Sequence, residues 1–256
     1  MGTPPCRCLP WDSEFFGCRI ARADDPRPDA DTLRRALSWC RAEGIDCLYW
    51  LADADEECAR LAEHFGFREV DRRVTLARRG TPPGEGDEPV AGGIIRPCRP
   101  EDVPDLRQIA AASHTDSRFF ADGRFDPRRC GEMYAVWVAN SCAGAADAVW
   151  VADVAGRAVG YCTLHRRDGG IGEIGLFAVA ESHRGKGLGK ALLVRGLRQF
   201  AEWGVGEVRV VTQGRNRAAR HLYERVGFAE RLRQVWYHRW FTLPPAGAAG
   251  QTRGAA

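Results

Sequence analysis

A glycine-rich segment carries the most specific chemical signal in the sequence. It reads His183-Arg184-Gly185-Lys186-Gly187-Leu188-Gly189-Lys190 and contains both lysines of the chain, although Lys and Arg together number 37. An apolar strand pattern over 171–179 precedes it, and an amphipathic helix pattern from Leu188 to Phe200 follows. Glycines let backbone N–H groups approach an anion, and the N-terminus of the next helix attracts it. The segment therefore predicts a binding loop for a pyrophosphate.

Two common phosphate motifs are excluded at this loop. The Walker A pattern G-x-x-x-x-G-K-[ST] is absent. No G-x-G-x-x-G opens the helix, and no acidic ribose ligand follows at the spacing of a dinucleotide-binding unit. An ordinary glycine-rich turn between a strand and a helix is the alternative interpretation.

A second signal lies downstream, over residues 216–228. It reads Asn216-Arg-Ala-Ala-Arg-His-Leu-Tyr223-Glu-Arg-Val-Gly227-Phe228. Asn216 and Tyr223 are seven residues apart, which is two helical turns, so their side chains share one face. The alternative is that Asn216 only caps the helix and Tyr223 only packs in the core.

Loop and helix together resemble the GNAT superfamily of N-acetyltransferases. Arg184, Gly187 and Gly189 match the family's Arg/Gln-x-x-Gly-x-Gly/Ala pattern, and residues 216–228 match its N-x-x-A-x-x-L-Y-x-x-x-G-F segment. The resemblance implies an α/β fold with a mixed, mostly antiparallel sheet flanked by helices, acetyl-CoA as cosubstrate and no metal. The acetyl-CoA-binding residues that it implies are Phe177, Ala178, Val179, Arg184, Gly185, Lys186, Gly187, Leu188, Gly189, Lys190 and Asn216.

Acetyl transfer to an amine needs a neutral nucleophile, a stabilised oxyanion and a protonated leaving thiolate. Tyr223 is the predicted proton donor to sulfur. A backbone N–H at the end of the 171–179 strand is the predicted oxyanion donor. Glu173 is the predicted base, since its strand resembles the one that bears the catalytic glutamate in histone acetyltransferases of the superfamily. An exposed strand glutamate without a catalytic role is the alternative, and His165 and His183 are further candidate bases.

Composition limits the class of protein. The chain has 256 residues, of which 45% are hydrophobic and 28% charged, with a net charge of +3. This balance is that of a globular protein, and the small net charge does not favour nucleic acid as a partner. No run of about 18 apolar residues predicts a membrane span, and no secretory signal is visible. The ten cysteines include no C-x-x-C pair, so we expect a reduced, cytoplasmic protein. The sequence does not determine the oligomeric state, and a homodimer stays open.

Residues 80–93, rich in glycine and proline, are the predicted linker. They separate a domain over 1–79 from a catalytic domain over 94–243, and a disordered tail is expected over 244–256. In the catalytic domain the patterns predict strands over 94–96, 149–153, 158–165, 171–179, 207–212 and 233–241. They predict helices over 102–112, 128–140, 188–200 and 216–226, with an irregular stretch over 113–126.

The first 79 residues resemble a partial copy of the catalytic domain. Gly66-Phe67 matches Gly227-Phe228, and helix, strand, helix and Gly-Phe strand occur in the same order twice. The chemistry occurs once, because Asp55 stands in place of Asn216 and Ala62 in place of Tyr223. The acidic stretch 24–29 replaces the glycine loop and would repel a pyrophosphate. We therefore expect a degenerate acetyltransferase-like module; chance similarity of two βα units is the alternative.

For the acceptor, residues 9–17, 117–119 and 133–138 resemble segments of the TDP-fucosamine acetyltransferases. That family acetylates the 4-amine of a TDP-linked 4-amino-4,6-dideoxy sugar. The resemblance implies that Arg118 and Phe119 lie near the sugar nucleotide, and arginine suits a diphosphate. Packing of 113–126 on its own aromatic residues is the alternative. Other amines (a protein lysine or N-terminus, an antibiotic, a polyamine) and a non-catalytic acyl-CoA-binding role also stay open.

Overall fold

The computed structural model describes residues 4–80 and 92–241, so most of the predicted linker (81–91) and the predicted tail (244–256) lie outside the described residues. The chain forms two compact units. The first takes Met1–Arg72, Arg118–Arg129 and Gln234–Ala256, and the second takes Arg73–Ser117 and Cys130–Arg233. The units cut across the predicted domains, because two segments of the predicted catalytic domain belong to the first unit. The boundaries 1–79 and 94–243 stay a prediction.

Helices and strands are interleaved along the described chain. Before the predicted linker they are β1 (Cys6–Cys8), α1 (Pro10–Phe16), β2 (Ile20–Ala23), α2 (Ala30–Ala42), β3 (Cys47–Asp53), α3 (Glu56–His64) and β4 (Arg68–Arg79). After it they are β5 (Gly93–Pro97), α4 (Val103–Ser113), α5 (Arg118–Asp122), α6 (Pro127–Asn140), β6 (Ala148–Val154), β7 (Arg157–Arg167), β8 (Ile171–Val179), α7 (Leu188–Glu202), β9 (Glu207–Gln213), α8 (Arg217–Arg225) and β10 (Ala229–Trp240). The α/β class and most predicted elements are confirmed. Helix α5 is an exception, since 113–126 is predicted to be irregular.

The first unit contains a short mixed sheet. Strand β1 pairs antiparallel with β2, and β2 pairs parallel with β3. The final part of β10 pairs antiparallel with β3, from Gln234 opposite Asp53 to Trp240 opposite Cys47. One face is packed with apolar side chains of α2 and β3, among them Leu33, Leu37 and Trp50. Segment 118–129 belongs to this unit because Phe119 and Phe125 pack on Phe16 and Tyr49.

The second unit contains strands β5 to β9 and the part of β4 from Arg73 onward. β5, β6, β7 and β8 form an antiparallel meander. Strand β9 pairs parallel with β8 and antiparallel with β4. Helix α7 covers one face with Leu192, Leu193, Leu197 and Phe200, all 2% exposed or less. Gly172 is required beneath this helix, because a Cβ there would lie 2.6 Å from the Phe200 ring.

The twofold order of elements is confirmed, since α2-β3-α3-β4 repeats as α7-β9-α8-β10. Local details agree as well. Asp55 accepts a hydrogen bond from Cys58 N at 2.8 Å to cap α3, and Asn216 accepts one from Ala219 N at 3.0 Å to cap α8. Gly66 and Gly227, each past a helix end, have φ of 68° and 90°. Asp55 thus keeps the capping function of Asn216, while Ala62 lacks the phenol of Tyr223.

Arg96, Asp102 and Asp153 form a buried triad of ion pairs, which connects β5 to β6 and to the start of α4. Arg96 donates to both oxygens of Asp102 at 2.7 Å, and to Asp153 at 2.7–2.8 Å. All three residues are 8% exposed or less. The hydrogen bonds from Arg96 hold the pKa of Asp102 below its usual range, despite an opposing effect of burial.

Replacing Arg96 with Met should lower the free energy of unfolding by about 3–5 kcal/mol, because two buried carboxylates lose their counter-charge. Urea unfolding would measure the loss. Arg157→Met is the matched control: its side chain is 74% exposed and pairs with Asp105, so its loss should stay below about 1 kcal/mol. Equal losses in both variants would contradict the structural importance of the triad.

Acid should destabilise the protein through His114 and His238. Burial lowers the pKa of His114 and of His238 to about 4, whereas an unfolded chain restores about 6.5. The stabilisation from neutral rings is complete above pH 6.5 and is lost as the pH falls toward 4, amounting to about 2 kcal/mol per ring at pH 5. Thermal unfolding at pH 7 and pH 5 tests this. In His114→Gln the difference between the two pH values should shrink by about that amount per ring; an unchanged difference would contradict the prediction.

Candidate active site

The parallel strands β8 and β9 separate partway along their length. Their pairing runs from Ile171 opposite Glu207 to Ile174 opposite Val210 and stops there, although β8 continues to Val179 and β9 to Gln213. Backbone groups beyond Ile174 therefore lose a strand partner on the β9 side. Such an edge is a template for hydrogen bonding to an extended ligand.

The direction of the free groups follows from two observed hydrogen bonds. Ala180 N–H donates to Val159 O at 2.8 Å, and Leu176 N–H donates to Thr163 Oγ1 at 2.8 Å, so both point toward β7. Backbone groups alternate in direction along a strand. The N–H groups of Phe177 and Val179 therefore point toward the gap left by β9. The β7–β8 pairing has a register shift between Cys162 and Leu164, and this shift determines which N–H groups of β8 face the gap.

The glycine-rich loop closes one end of the gap. Gly185 and Gly187 have φ of 75° and 83°, a conformation that other residues avoid. Gly187 is the N-cap of α7, and no side chain makes a capping hydrogen bond there. Arg184 Nε donates to Val179 O at 3.1 Å and Lys186 Nζ to Ser182 O at 3.1 Å. A loop of exposed amides at an uncapped helix start, with two cationic side chains, suits a pyrophosphate.

Gly189 lets α7 approach the strand end. A Cβ at this position would lie 3.2 Å from Leu222 and 3.5 Å from Phe177. The first turn of α7 thus packs against both β8 and α8. This contact positions the loop next to the strand edge at residues 177–179.

Tyr223 lies on the α7 side of the gap. Its ring is 4% exposed, 6.1 Å from the Phe177 ring and 5.8 Å from the Phe228 ring. Burial raises the pKa of Tyr223 above its usual range. The same apolar layer raises the pKa of the Cys162 thiol to about 12. A thiolate released in such surroundings is a strong base, and a neutral phenol beside it is a competent acid.

Glu173 and His165 lie on the opposite sheet face, directly across from each other in the β7–β8 register. Gly172 faces α7, so Glu173 and Gly175 face the other way. Gly175 makes room for the imidazole, because a Cβ there would lie 2.6 Å from His165 Nε2. Glu173 Oε1 pairs with Arg167 at 2.7 Å, and 38% of the Glu173 side chain is exposed.

Burial, aided by the Arg167 charge, lowers the pKa of His165. The imidazole is therefore neutral near pH 7 and able to accept a proton. His183 differs, since it lies in the loop and its Nδ1 is 2.9 Å from Ser182 Oγ. The gap between β8 and β9 thus has an acid on one face and two candidate bases on the other.

Comparison with known proteins decides the family. The model of the acetyltransferase (GNAT) family matches residues 101–228, which is half of the chain. The chain belongs to the GNAT acetyltransferase family. It is accordingly an N-acetyltransferase, and the predicted fold and enzyme class are confirmed. GNAT acetyltransferases use acetyl-CoA, and the strand gap, loop and Tyr223 fit such a molecule.

Relatives of this GNAT enzyme include proteins with and without named substrates. A dTDP-fucosamine acetyltransferase of Escherichia coli O6:H1 is 27% identical over 90% of this chain and 96% of its own length. A mycothiol acetyltransferase of Clavibacter sepedonicus is 32% identical over 77% of this chain and 64% of its own length. A solved GCN5-related N-acetyltransferase from Kribbella flavida has the same fold, with a TM-score of 0.62 at 17% identity, covering 96% of this chain and 89% of that one.

The residues predicted to contact the acceptor lie in the first unit of the GNAT enzyme. Phe119 is 3% exposed and packs on Phe16 and Phe125, which argues for a packing role rather than a direct contact. The Arg118 guanidinium is half-buried and lies 4.0–4.3 Å from three ring centroids. Sequence reasoning missed the residues that hold it, Asp122 and His238. No local signal pointed to either residue, because His238 lies 120 positions from Arg118 and Asp122 reaches Arg118 only through His238.

Two further findings bear on the class of protein. Over the described ranges, none of the helices combines the length and the apolar character that a membrane crossing requires. The ten cysteines all lie in described residues and are free thiols. Cys98 and Cys142 come within 3.7 Å of each other.

Proposed function

We propose that this GNAT enzyme transfers the acetyl group of acetyl-CoA to the amine of a nucleotide-linked amino sugar, such as a TDP-4-amino-4,6-dideoxyhexose. The observation that carries the proposal is the extent of the likeness to the dTDP-fucosamine acetyltransferase. It runs over 90% of this chain and 96% of that protein, whereas the family model covers half of the chain. A likeness confined to residues 101–228 would reflect acetyl-CoA chemistry alone, because the superfamily shares that part.

The proposed binding residues for acetyl-CoA surround the gap between β8 and β9. The loop from Arg184 to Lys190 holds the pyrophosphate on backbone amides and the first turn of α7. The strand edge at Phe177, Ala178 and Val179 pairs with the amide groups of the pantetheine arm. Asn216 accepts the capping hydrogen bond with Oδ1 and offers its amide N–H groups to the same arm.

Three groups then carry the reaction. Phe177 N–H, directed into the gap, stabilises the oxyanion that forms on the acetyl carbonyl. Glu173 takes the proton of the attacking amine from the opposite sheet face, and His165 is the alternative base beside it. Tyr223 donates its phenolic proton to the departing sulfur. Acid and base act from opposite faces of the sheet. The base takes up the proton of the amine, and the acid supplies the proton that the departing sulfur accepts.

Arg118 is the proposed contact for the acceptor. Its guanidinium offers several donors to phosphate oxygens in a planar arrangement. An acetylation of a different amine is the second candidate, favoured by the 32% identity to a mycothiol acetyltransferase over 77% of this chain.

A substrate panel tests both candidates. The enzyme is incubated with acetyl-CoA and single amines, and thiol release is followed together with mass analysis of the product. The panel contains TDP-4-amino-4,6-dideoxyhexoses of both 4-epimers, glucosamine and its simple glycosides, polyamines, an aminoglycoside and a lysine peptide. We expect the highest kcat/KM with one TDP-amino sugar. No turnover of any TDP-amino sugar, alongside turnover of another amine, would reject the first proposal and keep the second.

A further inference from the structure

An arginine of the first unit is held by a buried chain of hydrogen bonds. Arg118 Nη1 lies 2.8 Å from His238 Nε2, and His238 Nδ1 is hydrogen-bonded to Asp122. A guanidinium can only donate, so Nε2 accepts from Arg118 and Nδ1–H donates to the Asp122 carboxylate. Trp240 Nε1 donates to the same carboxylate at 3.1 Å. These hydrogen bonds therefore connect the buried Asp122 carboxylate to Arg118 through one tautomer of the His238 imidazole.

The protonation states of His238 and Asp122 do not change near neutral pH. Burial lowers the pKa of His238 to about 4, so the ring is neutral and keeps the lone pair that Arg118 uses. Burial alone would raise the pKa of Asp122, but the hydrogen bonds from His238 and Trp240 and the charge of Arg68 lower it on balance. Arg68 also donates to Asp122 Oδ1 at 2.8 Å. Asp122 is thus a carboxylate satisfied by donors other than Arg118.

Across the described residues no carboxylate contacts the Arg118 guanidinium directly, and Asp12 acts on it only through a longer-range electrostatic interaction. Instead the rings of Tyr49, Phe119 and Trp236 lie 4.1, 4.0 and 4.3 Å from the central carbon of the guanidinium. The rings and His238 restrict its orientation, while most of its N–H groups make no hydrogen bond with described residues. A partly desolvated and preorganised guanidinium of this kind suits an oxyanion.

Two more polar groups on this sheet face lack hydrogen-bond partners. Arg22, Tyr49 and His238 stand in register on β2, β3 and β10, so their side chains share a face. Tyr49 is fully buried, and among the described residues its hydroxyl has no hydrogen-bond partner. The same holds for Arg22 Nε, and the Arg22 guanidinium lies 5.2 Å from the Trp236 ring. Burial lowers the pKa of Arg22, against the charge of Asp24, which lies 3.5 Å from Arg22 Nε, and the charges of Arg7 and Arg118 add to the lowering.

We propose that Arg118, Arg22 and the Tyr49 hydroxyl form a phosphate-binding site within the first unit, and that His238 is a positioning residue for Arg118. The ligand class is an organic diphosphate. Its assignment to the diphosphate of the sugar nucleotide rests on the proposed function. The first unit would therefore bind the diphosphate. It lacks acetyl-CoA-binding residues at the positions that correspond to the glycine loop, Asn216 and Tyr223.

Calorimetric titration with TDP and with inorganic pyrophosphate tests the site without any acetyl transfer. We expect Arg118→Gln to weaken TDP binding at least about tenfold, since hydrogen bonds to charged groups are the strong ones. Arg35→Gln removes one positive charge from α2 in the same unit and should leave TDP affinity within about twofold, as expected for a solvated charge.

A pair of His238 variants separates positioning from packing. Both lose the ring that stacks on Tyr49 at 4.3 Å. Gln places an amide oxygen near the Nε2 position and can still accept from Arg118, whereas Asn reaches only the Nδ1 position and can still donate to Asp122. We expect His238→Asn to weaken TDP binding and raise KM for the sugar nucleotide about tenfold with kcat unchanged. His238→Gln should recover most of the affinity, with thermal unfolding of both variants confirming a folded protein.

The outcomes distinguish this inference from the proposed function. If Arg118→Gln binds TDP as tightly as the natural enzyme, or if the Asn and Gln variants at 238 are equally weak, the phosphate site is overturned. If no TDP-amino sugar is acetylated but pyrophosphate binding still depends on Arg118, the site stands and the proposed substrate fails. If TDP-amino sugars are acetylated with the same KM in the Arg118 variant, the proposed substrate stands and the site fails.

Discussion

Replacing Tyr223 with Phe is expected to lower kcat at least about 100-fold while leaving acetyl-CoA affinity nearly unchanged. The substitution removes the phenolic O–H and keeps the ring that packs between Phe177 and Phe228. Without an acid, the sulfur must depart as a thiolate in an apolar layer, where the Cys162 thiol has its pKa raised to about 12. Thiol release gives kcat, and titration calorimetry gives the affinity for acetyl-CoA.

The control for this result is Tyr237→Phe. Tyr237 is 5% exposed and packs 5.3 Å from the Trp50 ring, so its substitution removes the same hydroxyl from a buried position of the first unit, which does not contain the β8–β9 gap. Its kcat should be unchanged. Because burial raises the pKa of Tyr223, the acid stays protonated, and no alkaline fall in kcat from this group is expected below about pH 10. Unchanged turnover in the Tyr223 variant would remove it as the acid.

Replacing Glu173 with Gln is expected to lower kcat by about 100-fold or more, because the amide cannot accept the proton of the attacking amine. The matched control is Arg167→Gln. Both variants lose the 2.7 Å ion pair between Glu173 and Arg167, but the second keeps the carboxylate. We therefore expect a small effect of Arg167→Gln on kcat and a large one of Glu173→Gln.

The same measurement on His165→Gln decides between the two candidate bases. His165 is the register partner of Glu173 and is neutral near pH 7, since its pKa is lowered. A large loss in the His165 variant, with little loss in the Glu173 variant, would assign the proton to the imidazole. The acid limb of the pH–rate profile would then change in His165→Gln and stay the same in Glu173→Gln.

The elements of the catalytic half were predictable because each carries a complete local signal. Helix α7 has its apolar residues at helical spacing, and the bounds that the sequence predicts for β8 are those of the structure. Segment 113–126 was less predictable, since the five-residue helix α5 has too few turns for a periodic pattern. Its placement with the first unit depends on contacts of Phe119 and Phe125 with residues distant in the sequence.

The sequence by itself determined the family and the donor chemistry, and it supplied the proposed residues for that chemistry. It did so because a phosphate loop, a strand edge and a helix with Asn216 and Tyr223 follow one another within about 60 residues, and local spacing sets their relative positions. Tertiary structure decided what spacing cannot encode. The end of β8–β9 pairing after Ile174 directs Phe177 N–H into the gap, and the register of β7 with β8 places His165 opposite Glu173. Asp122 and His238, 116 positions apart, meet only because β10 pairs with β3 and α5 packs on the same face. Long-range pairing of this kind leaves no periodic trace in a single sequence, so the network that holds Arg118 became visible only in the fold.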